Sequence, residues 1–229
     1  MVDLFSLREA EIFKTLQELR KCDLVIIGGY AVNAYALPRF SVDCDVVIKD
    51  DHELKIIEKV LLNLDYQKQS TPKNSSYRGS FYRYEKILGN NFTVSMDVLS
   101  EAVSDRMTGV IFPADWIFQN SQIRILRGKT ISEQLNVRII TIDALLVMKI
   151  ISCRATDIRD VFMMLPNAGN KSWVKSEVAE RYDFKNRIDM IFQKVNSKQF
   201  YDGLRGVYGY FDPKVFEKHR KELKEFEVH

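Results

Sequence analysis

Two aspartates separated by one residue stand out in the apolar segment VDCDVVI, residues 42–48. Alternate side chains of a β-strand share a face, so Asp43 and Asp45 would lie side by side while Cys44 faces the core. Neighbouring carboxylates repel each other unless a cation lies between them, and oxygen ligands at this spacing suit Mg²⁺ or Mn²⁺. The pair therefore predicts a metal site, with an exposed edge strand carrying solvated charges as the alternative.

A third carboxylate follows in the segment TVSMDVLS, residues 93–100. Its apolar residues alternate with polar ones, which predicts an amphipathic strand with Asp97 on the polar face. If this strand pairs next to the one that carries Asp43 and Asp45, three carboxylates converge. Such a cluster can hold two metal ions about 3.5–4 Å apart, the arrangement that serves phosphoryl displacement. An exposed strand residue is the alternative for Asp97.

A glycine pair, Gly28-Gly29, ends the short apolar run at residues 24–27. Glycine between a strand and a helix lets the backbone approach a ligand closely, and the free amides of the following helix favour phosphate. A glycine pair alone is weak evidence. It gains weight from the aspartates that follow it.

The remaining pattern predicts elements that would position these residues. Strands are predicted at residues 24–27, 42–48, 80–88, 91–99, 123–126 and 137–140. Helices are predicted at residues 7–21, 30–37, 142–152 and 156–165, with another beginning at Asp50-Asp51. Ser6 and Glu9 have capping-box spacing, and Gly89-Asn90 is typical of a two-residue hairpin turn. We therefore expect an α+β fold, with a mixed twisted β-sheet core flanked by helices over residues 1–140 and an all-α region over residues 141–229.

Composition excludes several classes of protein. The 229 residues carry a net charge of +3, which alone is too weak to argue for nucleic acid. Cys22, Cys44 and Cys153 have no metal-binding spacing and are interpreted as reduced thiols. Neither a signal peptide nor an apolar run of membrane-spanning length is visible, so we expect a cytoplasmic protein without a membrane partner.

The segment GGYAVNAYALPRFSVDCDVVI resembles the GG…R-x-[ST]-x-D-x-D motif of the polymerase-β-like nucleotidyltransferase superfamily. More narrowly, it resembles the minimal prokaryotic branch that includes AbiEii-type toxin nucleotidyltransferases. The segment LLVMKIISCRATDIRDVFMML is similar to the K-x₄-R-x-x-D-x-x-D helix pair of that branch. The resemblance implies a nucleotidyltransferase core at residues 1–140, followed by a helical domain.

The resemblance also implies roles for the residues at the matching positions. Asp43, Asp45 and Asp97 would be the catalytic carboxylates and the ligands of Mg²⁺ or Mn²⁺, with Asp97 also acting as a general base. Gly28 and Gly29 would cradle the phosphates of a nucleoside triphosphate. Many members have Gly-Ser where this chain has Gly28-Gly29, so one phosphate ligand is missing.

Further positions match the motif on either side of this set. Arg39 and Ser41 would steady the phosphates or the strand, and Lys149 would reach the triphosphate. Arg154, Asp157 and Asp160 would have supporting roles, the two aspartates positioning Lys149 or Arg154. Lys149 lies in an apolar run, so it must either bind an anion, phosphate or carboxylate, or extend its ammonium group to solvent. Alternative interpretations are a loop charge for Arg39 and a helix-dipole charge for Asp157.

Three functions follow, in order of preference. The first is transfer of a nucleoside monophosphate from a nucleoside triphosphate to a hydroxyl of tRNA, protein or a small molecule, with an antitoxin partner if the chain is part of a toxin–antitoxin pair. The second is a catalytically silent module of the same fold that binds a nucleotide or a partner. The third is binding of single-stranded RNA by the aromatic and basic strand at residues 77–86.

Overall fold

The computed structural model describes residues 4–70, 79–89 and 92–228. The strands are β1 Val25–Ile26, β2 Asp43–Ile48, β3 Gln67–Lys68, β4 Ser80–Leu88, β5 Phe92–Ser100, β6 Ala102–Ser104, β7 Ile111–Pro113, β8 Ser121–Arg127 and β9 Gln134–Ile140. The helices are α1 Leu4–Glu18, α2 Gly28–Val32, α3 Asp51–Asn63, α4 Ala114–Gln119, α5 Ile142–Ser152, α6 Ala155–Met164, α7 Lys171–Arg181, α8 Phe184–Val195, α9 Lys198–Tyr208 and α10 Pro213–Val228. Short 3₁₀ helices cover Leu19–Lys21 and Leu165–Asn167.

The chain divides into two compact units. The first comprises Met1–Ala34, Phe40–Ser104 and Ile111–Ile140, and the second comprises Tyr35–Arg39, Asp105–Val110 and Thr141–His229. The segment that precedes β2 is thus shared between the two units.

The first unit is built on a seven-stranded sheet in the order β3-β4-β5-β2-β1-β9-β8. Strands β2 and β5 run parallel, as do β1 and β9, and the other neighbours in the sheet are antiparallel. Helices α1 and α3 pack against β5, the strand that carries Asp97. The predicted α+β class, with a mixed sheet, flanking helices and C-terminal helices, is confirmed.

The helix predicted to begin at residue 7 begins earlier in the structure. It begins at Leu4, so Ser6 lies inside the helix and does not cap it. Glu9 is buried and accepts hydrogen bonds from the amides of Lys129 and Thr130, at 2.6 and 2.8 Å, and from the Thr130 hydroxyl. The capping-box prediction was therefore wrong, because Glu9 anchors the loop between β8 and β9.

The helix predicted at residues 30–37 is also shorter than expected. Helix α2 ends at Val32, and the amides of Asn33 and Ala34 bond to carbonyls three residues back, as in a tightening final turn. By contrast, Asp50 caps α3 as predicted, since its side chain accepts from the amide of Glu53.

The hairpin of β4 and β5 has a different register from the predicted one. A two-residue turn at Gly89-Asn90 would pair Leu88 with Asn91, but Leu88 pairs with Phe92. Residues 90 and 91 lie outside the described residues, so the shape of the turn is not assigned. The one-residue shift decides which side chain stands opposite Asp97.

The second unit is helical apart from its two short segments. Helix α5 packs against α6, α7 and α8, and α10 packs against α6 and α8. An aromatic cluster joins α6, α9 and α10, where Phe162 contacts the rings of Phe200, Phe216 and His219. Among the described residues, no helix combines the length and the apolar character needed to cross a bilayer.

Candidate active site

The pairing of β2 with β5 brings the three predicted carboxylates together. The two strands are parallel neighbours, and their register places Asp45 directly opposite Asp97 and Asp43 opposite Ser95. Residues directly opposite each other share a face of the sheet, so all three aspartates lie on one side. The opposite face of β2 carries the fully buried Cys44.

The carboxylates are close enough to share a cation. One oxygen from each of Asp43, Asp45 and Asp97 lies within 4.8 Å of one oxygen from each of the others. Asp97 is buried, with 3 % of its surface exposed, whereas Asp43 and Asp45 are half-buried. Hard divalent cations such as Mg²⁺ and Mn²⁺ take carboxylate oxygens as ligands, so this donor set fits the predicted metal.

Gly28 lies against this cluster. Its φ of +65° is in the left-handed region that favours glycine. A β-carbon at this position would overlap Oδ2 of Asp45 and lie 2.9 Å from Cγ of Asp45. The amide of the preceding Ile27 donates to the carbonyl of Asp45 at 3.0 Å, which holds the glycine bend beside β2. Only glycine provides both the bend and the space for the carboxylate.

Gly29 and Ser41, the other predicted site residues of this unit, lie close in sequence to Gly28 and to β2. Gly29 is buried in α2, directly after Gly28. Ser41 is half-buried and precedes the first residue of β2 by two positions. Their contact with a nucleotide stays a prediction.

Arg83 is a charged residue of the site that the sequence interpretation missed. It stands opposite Asp97 in the β4–β5 pairing, and its Nε and Nη2 donate to Oδ1 and Oδ2 of Asp97 at 2.8 and 2.7 Å. Its Nη2 also lies 3.5 Å from Oδ2 of Asp43. The hydrogen bonds with Asp97 raise the pKa of Arg83 above its usual value. With the predicted two-residue turn, Arg83 would have stood opposite Met96 instead, on the other face.

A second charged cluster lies within the helical unit. Nζ of Lys149 is 2.7 Å from Asp157 Oδ1 and 3.0 Å from Asp160 Oδ2, and Arg39 binds Asp160 through two hydrogen bonds of 2.8 and 2.6 Å. Arg154 binds the other oxygen of Asp157 at 2.7 Å. Five predicted residues therefore meet, although Arg39 and Asp160 are far apart in sequence.

This second cluster is buried, and its charges stabilise one another. Asp157 and Asp160 are fully buried, and Arg39 and Lys149 are nearly so. Burial opposes ionisation of Asp157, but Lys149 and Arg154 outweigh it and hold the pKa of Asp157 below its usual value. Burial likewise disfavours the charge on Arg39, yet the hydrogen bonds to Asp160 raise the pKa of Arg39. The phosphate-binding roles of Arg39 and Lys149 stay predictions.

Arg83 and Lys86, the described basic residues of the strand considered for RNA binding, both pair with carboxylates. Residues 77 and 78 lie outside the described residues. Arg83 binds Asp97, Lys86 binds Glu11 at 2.8 Å, and Tyr84 is fully buried. A stacking surface needs accessible rings and cations, so these contacts count against this third hypothesis.

The cysteines are free thiols, as expected. Burial raises the pKa of Cys44 well above its usual value, and burial with the charge of Glu53 raises the pKa of Cys22 to about 11. Neither thiol has the low pKa of a reactive nucleophile.

Comparison with known proteins supports the fold. No protein-family model matches the chain, and no curated protein matches it. Among solved structures, the fold is similar to that of ANT(2″)-Ia in complex with adenylyl-2″-tobramycin, with a TM-score of 0.51 and 15 % sequence identity over 79 % of this chain and 98 % of that chain. The chain thus shares its fold with a nucleotidyltransferase. At 15 % identity this likeness shows the fold alone.

Proposed function

We propose that the protein is a divalent-metal-dependent nucleotidyltransferase, which moves a nucleoside monophosphate from a nucleoside triphosphate to a hydroxyl group and releases pyrophosphate. The observation that carries the proposal is the convergence of Asp43, Asp45 and Asp97 within 4.8 Å on one face of the sheet. Gly28 supports it, because the bend keeps space beside the Asp45 carboxylate. The shared fold with ANT(2″)-Ia adds an independent argument.

Each predicted site residue of the first unit has a proposed role in the reaction. Asp43 and Asp45 hold Mg²⁺ or Mn²⁺, and Asp97 completes the ligand set. When bound, these ions neutralise phosphate charge and orient the triphosphate. Gly28 and Gly29 let the backbone approach the β- and γ-phosphates closely.

The transfer itself is a substitution at the α-phosphorus. The acceptor hydroxyl oxygen forms a bond to the α-phosphorus, and the bond between that phosphorus and the bridging oxygen of pyrophosphate breaks. The hydroxyl proton passes to the carboxylate of Asp97, which acts as general base. Ser41, two residues before β2, is proposed to steady the strand or the phosphates.

Arg39 and Lys149 have a proposed role in binding the nucleotide, supported only by the motif that they match. Their charged groups are bonded to the buried carboxylates of Asp157 and Asp160. Asp157, Asp160 and Arg154 are accordingly proposed to position them. Both cations are already paired in the structure, so a phosphate would bind through their other N–H donors or replace a carboxylate.

The acceptor is proposed by class. A hydroxyl of tRNA, of a protein or of a small molecule fits the reaction, and the adenylylated tobramycin bound to ANT(2″)-Ia puts aminoglycosides on the test panel. We also propose ATP as the first nucleotide to test, a cytoplasmic location, and an antitoxin as partner if the chain is a toxin of the AbiEii type.

Radiolabel transfer tests the proposal. The protein is incubated with each of four α-³²P-labelled nucleoside triphosphates and Mg²⁺ or Mn²⁺, with tRNA, cell protein or tobramycin as acceptor. We expect label transfer and pyrophosphate release that Asp45→Asn abolishes. Asp115→Asn is the matched control, since Asp115 is an aspartate of the same unit with 78 % of its side chain exposed.

The silent-module alternative predicts a different result. Calorimetry would then show binding of nucleotide to the wild type, while no acceptor on the panel takes up label and no pyrophosphate appears. That outcome would contradict the transferase proposal and favour the second function.

A further inference from the structure

The three aspartates, an acidic triad, already have a positively charged partner, Arg83, which the pairing of β4 with β5 positions beside them. Arg83 binds both oxygens of Asp97 and reaches Asp43 at 3.5 Å. The strand order β4-β5-β2 aligns Arg83, Asp97 and Asp45 in one row across the sheet. One guanidinium thus faces a cluster of three carboxylates.

The two members of the main ion pair differ in exposure. The side chain of Asp97 is 4 % exposed, whereas that of Arg83 is 38 % exposed. A buried carboxylate without a cation is costly, while an arginine at the surface loses little when it turns toward water. Asp97 therefore needs a positive group, but Arg83 does not need Asp97.

A divalent cation would compete with Arg83 for the same atoms. The guanidinium donates to both oxygens of Asp97, so an ion bound to them would lie a few ångströms from this positive charge. Repulsion at this distance favours either the arginine or the metal at Asp97, and disfavours both together.

We propose that Arg83 is the resident counter-ion of the triad and regulates its metal loading, an inference that rests on the proposed function. The guanidinium is hydrogen-bonded to Asp97 when no metal is bound, and it turns toward solvent when a divalent cation binds the carboxylates. Arg83 thereby keeps Asp97 in place and lowers the affinity of the free protein for metal.

A purely structural role for Arg83 predicts something else. If the pair only ties β4 to β5, its loss would lower stability, and metal would stabilise the wild type and the variant equally. Competition instead predicts that loss of Arg83 makes the triad a better metal site, because the ion then supplies the missing positive charge.

Binding of Mn²⁺ alone separates the two roles. The full chain is titrated with Mn²⁺, and the free ion is measured by electron paramagnetic resonance, for the wild type and Arg83→Gln. Glutamine keeps a donor for Asp97 without the charge. We expect Arg83→Gln to bind Mn²⁺ about tenfold more tightly, as expected for removal of one nearby charge. We also expect Mn²⁺ to raise the Tm of the variant more than that of the wild type.

Arg138→Gln is the matched control. Arg138 is also a strand arginine of the first unit, 42 % exposed, and its Nε lies 4.0 Å from Oδ1 of Asp23. Its variant should bind Mn²⁺ like the wild type. If Arg83→Gln does not fold, Arg83→Met, which also removes the charge and keeps much of the side-chain volume, replaces it, and weaker or unchanged Mn²⁺ binding by that variant contradicts the proposal.

The remaining outcomes distinguish this inference from the proposed function. Equal or weaker Mn²⁺ binding by Arg83→Gln, with binding that is still lost in Asp45→Asn, overturns the role of Arg83 and leaves the metal site intact. Mn²⁺ binding that does not depend on Asp45 in any variant overturns both.

Discussion

Gly28 and Asp45 occupy adjoining space, so that a β-carbon on the glycine would overlap the carboxylate of the aspartate. The two residues lie on different elements, α2 and β2, and the hydrogen bond from Ile27 to the carbonyl of Asp45 holds these elements together. The glycine is therefore a condition for the geometry of the acidic cluster.

Gly28→Ala should weaken both metal binding and stability. The left-handed backbone would cost an alanine about 1–2 kcal/mol, and the Asp45 side chain would have to move away from the new methyl group. Mn²⁺ titration and chemical denaturation measure the two effects. Gly203→Ala in α9 is the control, since a β-carbon there meets nothing within 4 Å. Equal Mn²⁺ affinity in Gly28→Ala and the wild type would show that Asp45 tolerates the crowding.

The buried cluster of the helical unit should be sensitive to the loss of one charge. Asp160→Asn leaves Arg39 with a neutral partner and removes one of the two carboxylates that bind Lys149, and breaking a buried pair in this way costs about 3 kcal/mol or more. Urea denaturation measures the loss of stability. Lys185→Gln is the control because this exposed lysine pairs with Asp189 only at 3.5 Å, and its loss should stay within about 0.5 kcal/mol. A similar small effect for Asp160→Asn would indicate that water replaces the lost interaction.

Stability in acid should depend on Asp157. The pKa of Asp157 in the folded protein lies below its ordinary value of 3.8, so the unfolded chain binds the proton more readily. The stabilisation is thus complete above that ordinary value and is lost as pH falls toward and through the lowered pKa. The free energy of unfolding, measured by urea denaturation at several pH values from 5 down to 2, should fall less steeply for Asp157→Asn than for the wild type. Parallel curves would assign the acid sensitivity to other carboxylates.

Glu9 should stabilise the loop between β8 and β9. Glu9→Ala removes the charged acceptor of two part-buried hydrogen bonds, from the amides of Lys129 and Thr130, and a hydrogen bond to a charged group contributes about 1.5–3 kcal/mol. Hydrogen exchange at these two amides should accelerate, and the free energy of unfolding should fall. Glu18→Ala, at the exposed end of the same helix, should change neither quantity. Unchanged exchange in Glu9→Ala would mean that other groups hold the loop.

Local patterns were sufficient for much of the site. The alternation of Asp43 and Asp45 in an apolar run, the polar face of the Asp97 strand and the glycine pair each depend on residues close in sequence, and strand geometry then fixes which side chains share a face. The structure places all three carboxylates together, as these patterns predict. The strands at residues 123–126 and 137–140 were recognised for the same reason, within β8 and β9.

Pairing between distant segments was decided only by the tertiary structure. The hairpin register differs by one residue from the predicted turn, and because side chains alternate, that single step brings Arg83 rather than Tyr82 opposite Asp97. Likewise, Arg39 meets Asp160 across 121 residues of sequence, a distance over which no local pattern carries information. The sequence by itself determined which side chains could bind metal, whereas the fold decided which cations balance them, because strand register and helix packing depend on contacts across the whole chain.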